Sequence, residues 1–227
     1  MIKSIDGMPV IVTEYNERVK LSIFGATRQT GRELARQALA GGHELAALAR
    51  DPARLSISSA QLRVVRGDVG DRAAVSEAVR GAEAVLSVLG PSQNKPDFGV
   101  SAGMENIVQV MREQGVRRLV ISIGAGVADP RDKPTIIHSL LFAALTVMAR
   151  YVYEDMAGVA GIVRASALDW TIVRVPMLTN NPATGRVRVG YVGRGTGPRL
   201  ARADMARFML EQCMDPTYLR QAPVISN

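Results

Sequence analysis

The stretch KLSIFGATRQTGRELARQALAGGHELAALAR, residues 20–50, constrains this chain most: an apolar run, a turn with two glycines, a helical periodicity and a second apolar run. Lys20–Phe24 is a short strand, residues 30–40 carry helical spacing through Leu34, Ala35 and Leu39, and Gly41 and Gly42 stop that helix before HELAALAR begins the next strand. The alternation then repeats. DPARLS leads to a strand at LRVVRGDV, a helix over 71–79, a strand at AEAVLSVLG, a helix over about 100–114 and a fifth strand at RRLVISIG. Strands joined through helices at this spacing imply right-handed crossovers and a doubly wound parallel sheet, so the expected fold class is α/β.

A long helical tract follows over 135–166, with a bend expected near Gly158 and Gly161. Its apolar part, 139–149, is too short to span a bilayer and reads as a buried helix, with an interface as the alternative. LDWTIVRVP is a sixth strand that must end at Pro176. Beyond Thr184, GRVRVGYVGRGTG suits a short strand and turns, and a helix over 202–213 and a last strand at APVIS follow. This tail is too small to fold alone and is expected to form a small C-terminal extension on the substrate side of one domain, 20–227. Residues 1–19 are expected to be an N-terminal extension or arm, in which PVIVTEY is either a strand or an arm, with a dimer contact as one place for it. The single cysteine, Cys213, excludes an internal disulfide and reads as a buried helix residue, and no signal peptide is apparent, so a cytoplasmic protein is expected. No metal site and no membrane partner are expected, and the chain is read as a monomer or homodimer.

The net charge is +7, and arginines 186, 188, 194, 199 and 202 meet no acidic residue until Asp204. A strongly positive surface follows, fit for a dinucleotide, an anionic substrate or a nucleic acid. Aromatic residues are only 4 % of the chain and form no stacking array, which disfavours nucleic acid.

Gly25 directly follows the first strand and Gly31 opens the helix. The first permits a tight turn and close approach of a pyrophosphate; the second lets the helix pack near the sheet, with the free amides at its start facing the negative charge. Thr27 and Thr30 add hydroxyls, Arg28 adds a cation, and Gln29 belongs to the same cradle. No Lys-Ser/Thr pair follows Gly31, which excludes the phosphate loop of nucleotide triphosphatases. A dinucleotide is the better ligand. At the end of the second strand a carboxylate would favour NAD(H), but Arg50 stands there, so NADP(H) is expected over NAD(H); Asp51 is the contrary detail. In GDV, Asp68 can accept from the adenine amino group while Val69 donates to the ring, or Asp68 can simply cap its turn. Leu89 and Gly90 end the fourth strand where the ribose nearer the nicotinamide would lie. Ser122, near the carboxyl end of the fifth strand, is the candidate to position nicotinamide or a substrate oxygen.

GATRQTG, ALAR, GDV, VLSVLG, GMENIVQVMREQGVRRLVISIGAG, LDWTIVRVP and GYVGRGTGPRLARADMARFML together resemble the atypical short-chain dehydrogenase/reductase group. The similarity is to NAD(P)H-binding flavin reductases and biliverdin-IXβ reductases, with NmrA-like proteins related. It covers about 20–225 and implies an NAD(P)-binding Rossmann fold holding NADPH, with the nicotinamide open to a small planar substrate such as a flavin or a linear tetrapyrrole. It further implies that Gly25 and Gly31 are the glycine-rich positions, Arg50 the 2′-phosphate residue, Ser122 the nicotinamide-side serine, and Pro176 and Met177 the border of the nicotinamide pocket. Arg28 replaces the middle glycine of that turn.

Ordinary members of the wider superfamily pair Tyr with Lys four residues on. Here Tyr151 is followed by Asp155 and Tyr153 by Ala157, so conventional alcohol oxidation is disfavoured. Hydride transfer to a flavin needs no such pair, and a proton can come from solvent. His43 begins the second strand at the end remote from the ligand, and His138 is a weak proton donor near a substrate lid. The expected activity is an NADPH-dependent reductase of a flat acceptor, with an NADP(H)-sensing regulator as the alternative and a nucleotide-sugar epimerase further behind.

Overall fold

The computed structural model describes residues 18–227; the expected arm at PVIVTEY lies outside the described residues. Strand β1 (Lys20–Phe24) is followed by α1 (Gln29–Ala40), β2 (Glu44–Ala49), β3 (Leu62–Arg66), α2 (Arg72–Val79), β4 (Ala84–Ser87), α3 (Gly99–Glu113) and β5 (Arg118–Gly124). Then come α4 (Ile136–Met148), α5 (Arg150–Ala165), β6 (Asp169–Val175), β7 (Met177–Thr179), β8 (Arg188–Gly190), β9 (Arg199–Ala201), α6 (Arg202–Met214) and β10 (Val224–Ser226). The main sheet runs β3-β2-β1-β4-β5-β6-β10-β8. It is parallel through β10, and β8 closes one edge antiparallel to β10. The chain builds outward from β1 to β3 and then returns to place β4 on the other side of β1, which leaves a crevice at the carboxyl ends of those two neighbours.

Both faces of the sheet are covered, which is why the inner strands read as continuous apolar runs. On one side Leu34, Ala35 and Ala38 of α1 and Met205, Phe208 and Met209 of α6 pack on Leu21 and Ile23. On the other, α2, α3 and α5 pack on Phe24, Val85 and Ile121. The expected doubly wound sheet is therefore present. The tail splits its work: β8 and β10 extend the main sheet, while β9 pairs with β7 in a separate two-stranded sheet.

The helical tract corrects two expectations. Its break falls at Ala149, between α4 and α5, rather than near Gly158 and Gly161. Asn94 causes the break to sit there: its Nδ2 donates to the carbonyl of Met148 at 3.0 Å and its Oδ1 accepts from the amides of Tyr151 at 3.0 Å and Val152 at 3.4 Å, capping both helix ends at once. The described side chains of the apolar segment are also not buried. Leu140 is 67 % exposed and Met148 76 %, because α4 leans on little besides α5.

One buried ion pair ties the later strands together. Arg174 of β6 is 0 % exposed and donates from both terminal nitrogens to Asp132 at 2.7 Å. Its Nε donates to the carbonyl of Ala222 at 2.7 Å and its Nη1 to that of Val127 at 3.1 Å. The Asp132 carboxylate also accepts from the amides of Asp129 and Val192. Burial pushes the Asp132 pKa up, but the Arg174 hydrogen bonds and the two amides outweigh it and hold the carboxyl below its ordinary value. Such a group adds stability above the unfolded carboxylate pKa that is lost as pH falls through the lowered folded one. Asp132→Ala is expected to cost about 3–5 kcal/mol by stranding a buried guanidinium. Urea unfolding should show this as a lower midpoint at an unchanged slope, and the acid limb of a stability-against-pH curve should flatten in the variant.

Candidate functional site

Strand register brings the predicted residues to one level. Leu48, Phe24, Ser87 and Ile121 stand side by side across β2, β1, β4 and β5. One residue further toward the carboxyl ends come Ala49, Gly25, Val88 and Ser122. The crevice there is lined by Gly25, Thr27 and Arg28, by Arg50, by Gly67, Asp68 and Val69, and by Leu89 and Gly90. Gln29, Thr30 and Gly31 form the first turn of α1 beside it. Ser122, Pro176 and Met177 lie outside this crevice, along β5 and just past β6.

Both glycines are sterically required. Gly25 has φ +89°, and a Cβ there would sit 2.9 Å from the carbonyl oxygen of Val88. A Cβ at Gly31 would collide with the carbonyl of Gly25. Helix α1 begins at Arg28 with no side-chain cap, which leaves the amides of its first turn open to an anion. The hydroxyls of Thr27 and Thr30 make no hydrogen bonds among the described residues.

Arg28 reaches across the crevice. Its Nη1 donates to the carbonyl of Gly90 at 3.0 Å and to that of Pro91 at 3.4 Å, joining the β1 lip to the β4 lip. The side chain that replaces a glycine of the turn is thus held on the far wall and leaves the helix amides clear.

The mouth of the crevice beyond β2 is cationic. Arg50 is exposed, and its Nε stands 3.7 Å from Asp68 Oδ2. Asp68 uses its other oxygen to accept from the amide of Gly70 at 2.9 Å, so it does shape its own turn, while Asp71 caps α2. Asp51, the carboxylate that argued for NAD(H), instead accepts from the amide of Ala53 at 3.2 Å and caps the short turn after β2.

Helix α3 holds the turn after β3 in place. Asn106 Nδ2 donates to the carbonyl of Val69 at 2.9 Å, and a Cβ at Gly103 would collide with the Val69 side chain. Sequence reasoning gave neither residue a role, although both lie in GMENIVQVM. Asp155, where ordinary members carry the lysine, is 2 % exposed. Its carboxylate accepts from the amides of Ser101 at 2.8 Å and Val100 at 3.3 Å, so it caps α3, whose first residues line the crevice. Among the described residues a guanidinium rather than an ammonium faces Tyr151: that of Arg150, its carbon 5.9 Å from the ring centre.

The remaining candidates separate. Ser122 is half-buried and its hydroxyl has no hydrogen-bond partner among the described residues. Met177 is 58 % exposed at the start of β7. His43 lies at the amino end of the sheet, where its Nδ1 accepts from the amide of Val19 at 3.2 Å and burial lowers its pKa. The side chain of His138 lies outside the described residues. Burial pushes the Cys213 thiol up to about 12, so it is no nucleophile at neutral pH. Among the described residues no group of three or more His, Cys, Asp or Glu is placed to hold a metal ion, and no helix is long and apolar enough to cross a membrane.

A parallel sheet with glycine-lined amides at its switch point defines a dinucleotide-binding protein. The chain matches the NAD(P)H-binding family over residues 25–216 and belongs to it. Among curated proteins it is 31 % identical over 159 residues to (4-alkanoyl-5-oxo-2,5-dihydrofuran-3-yl)methyl phosphate reductase of Streptomyces griseus, covering 70 % of this chain and 48 % of that one. The chain thus spans about half the length of that relative. A short-chain dehydrogenase/reductase of Veillonella parvula, solved in complex with NADP, superposes with a TM-score of 0.74 at 18 % identity, covering 93 % of this chain and 95 % of that one. ChuY of Escherichia coli O157:H7, described as an anaerobillin reductase, gives 0.73 at 20 %, covering 91 % and 96 %. These two likenesses are of fold. Gly31→Ala is expected to push α1 off the turn and weaken dinucleotide binding by about tenfold or more, the factor that accompanies each 1.4 kcal/mol. Titration calorimetry with NADPH, alongside circular dichroism to show that the helices persist, checks this.

Proposed function

We propose that the protein is an NADPH-dependent reductase that delivers hydride to a flavin or a similar flat acceptor. The observation that carries the reading is the cationic mouth of the crevice: Arg50 is exposed and its one ion pair, to Asp68, is long at 3.7 Å, so it can turn to a 2′-phosphate, while Asp51 is occupied in its own turn. The α1 amides would hold the pyrophosphate, Asp68 and Val69 the adenine, and Leu89 and Gly90 the inner ribose. Ser122, level with Gly25 and without a hydrogen-bond partner among the described residues, would orient the nicotinamide carboxamide. The reduced nicotinamide supplies the hydride when bound. Pro176 and Met177 would bound the acceptor, and Asp155, sealed against α3, cannot serve as the proton relay that a lysine would complete. The acceptor's proton is therefore expected from solvent, which suits a ring nitrogen better than an alcohol oxygen.

The Streptomyces relative is named as a reductase of a phosphate ester, and an anionic acceptor suits the positive tail of this chain. The competing reading is an NADP(H)-sensing regulator, favoured by the exposed arginines 186, 188 and 194, which make no ion pair among the described residues and offer a surface to a partner.

Oxidation of NADPH and NADH by the purified protein, with FMN, FAD or riboflavin, is the deciding measurement. Flavin-dependent turnover that prefers NADPH is expected; tight NADPH binding without turnover over a broad acceptor panel would transfer the assignment to sensing. Arg50→Ala is expected to raise the Kd for NADPH about tenfold, the size of one charge-assisted contact, while that for NADH holds. Equal losses for both cofactors would remove Arg50 from the 2′-phosphate site.

A further inference from the structure

We propose that Arg199, beside Met177, holds an anionic group of the acceptor, so that the preferred acceptor is a flat molecule carrying a phosphate or carboxylate. The proposal rests on the reductase reading above and adds the residue and the substrate class. Strands β7 and β9 pair in parallel with Met177 opposite Arg199. Paired residues on neighbouring strands, about 4.8 Å apart, direct their side chains to the same face. Burial agrees: Met177 and Arg199 are exposed, whereas Leu200, one pair further on, is fully buried against Leu178 on the inner face. Met177 follows Val175 by two residues, and Val175 pairs with Gly124, two residues beyond Ser122. An acceptor laid across the carboxyl ends of β5 and β6 would extend toward Met177 and Arg199, which stand just past the end of β6.

The cation is also available. Arg199 makes no side-chain hydrogen bond or ion pair among the described residues, whereas other arginines nearby are engaged. Arg202 donates to Asn180 Oδ1 at 2.7 Å, Arg207 to the carbonyl of Gly185 at 2.9 Å, and Arg174 to Asp132. The first acid of the tract, Asp204, is 0 % exposed and accepts from the amides of Thr184 at 2.8 Å and Gly185 at 3.0 Å, so it does not neutralise Arg199. Arg188 shares the exposure but sits in β8, separated from β6 by β10, and is not in register with Met177. Of the exposed arginines in this tract, Arg199 alone lies in register with Met177.

FMN and riboflavin share their ring and differ in the phosphate, so they read this contact directly. The wild-type protein is expected to prefer FMN, and Arg199→Ala to lower the FMN-to-riboflavin ratio of kcat/KM about tenfold, as loss of one charge-assisted contact does. Arg199→Lys should keep part of the preference, added salt should erode it, and Arg188→Ala should leave it in place. An unchanged ratio in Arg199→Ala overturns the proposal. So does a parallel loss of NADPH affinity, which would assign the arginine to the cofactor's phosphates. If no flavin is turned over, the reductase reading fails, and equilibrium dialysis of both flavins against the NADP+-saturated protein still decides the subsite. Tighter FMN binding that disappears in Arg199→Ala supports it; equal binding of the two flavins by the wild type overturns it.

Discussion

The first turn of α1 packs against the carbonyl of Gly25 so closely that no side chain fits at Gly31, and Gly25 itself turns under Val88 with φ +89°. That contact sets the angle at which the helix leaves the sheet. It also sets the distance between the β1 and β4 lips that Arg28 bridges through Gly90. An anion-binding helix start needs its amides brought to the switch point and kept free of side-chain caps; the two glycines meet the first condition, and Arg28, drawn to Gly90, meets the second.

The opposite half of the carboxyl edge depends on the Arg174–Asp132 pair. Three separate segments meet on these two side chains: the loop after β5, the approach to β10 and the turn after β8. A guanidinium at zero exposure is costly unless every donor is met and its charge is paired. Four hydrogen bonds and the paired charge offset most of that cost, and they lock β6 to the loop after β5 and to the approach to β10. Asp155 does comparable work on the wall of the crevice, where its carboxylate complements the positive start of α3. Four residues after Tyr151 the chain thus carries a carboxylate that holds the start of α3 in place.

Helix α4 stands apart from this economy of contacts. Its sequence is mostly apolar and carries no Asp, Glu, Lys or Arg, yet Leu140, Leu145, Val147 and Met148 remain exposed beside α5. Apolar composition announced a buried helix; what burial it receives depends on neighbours, and composition carries no information about them.

By itself the sequence determined the order of the strands from β1 to β6, the parallel sheet and the glycine-lined turn at its switch point. These rest on local physics: the periodicity of apolar residues, glycines where a turn and a close helix approach demand them, and Arg50 at a strand end. Tertiary structure alone decided what depends on partners distant in the chain. The helical tract breaks at Ala149 because Asn94 caps it there, while Gly158 stays helical against Ser101 of α3. Arg174 looked like an ordinary residue of LDWTIVRVP until Asp132, 42 residues away, closed on it. Strands of three residues such as β7 and β9 carry too little pattern to be read locally. Their pairing across some twenty residues, which sets Arg199 beside Met177, exists only once the chain has folded back on itself.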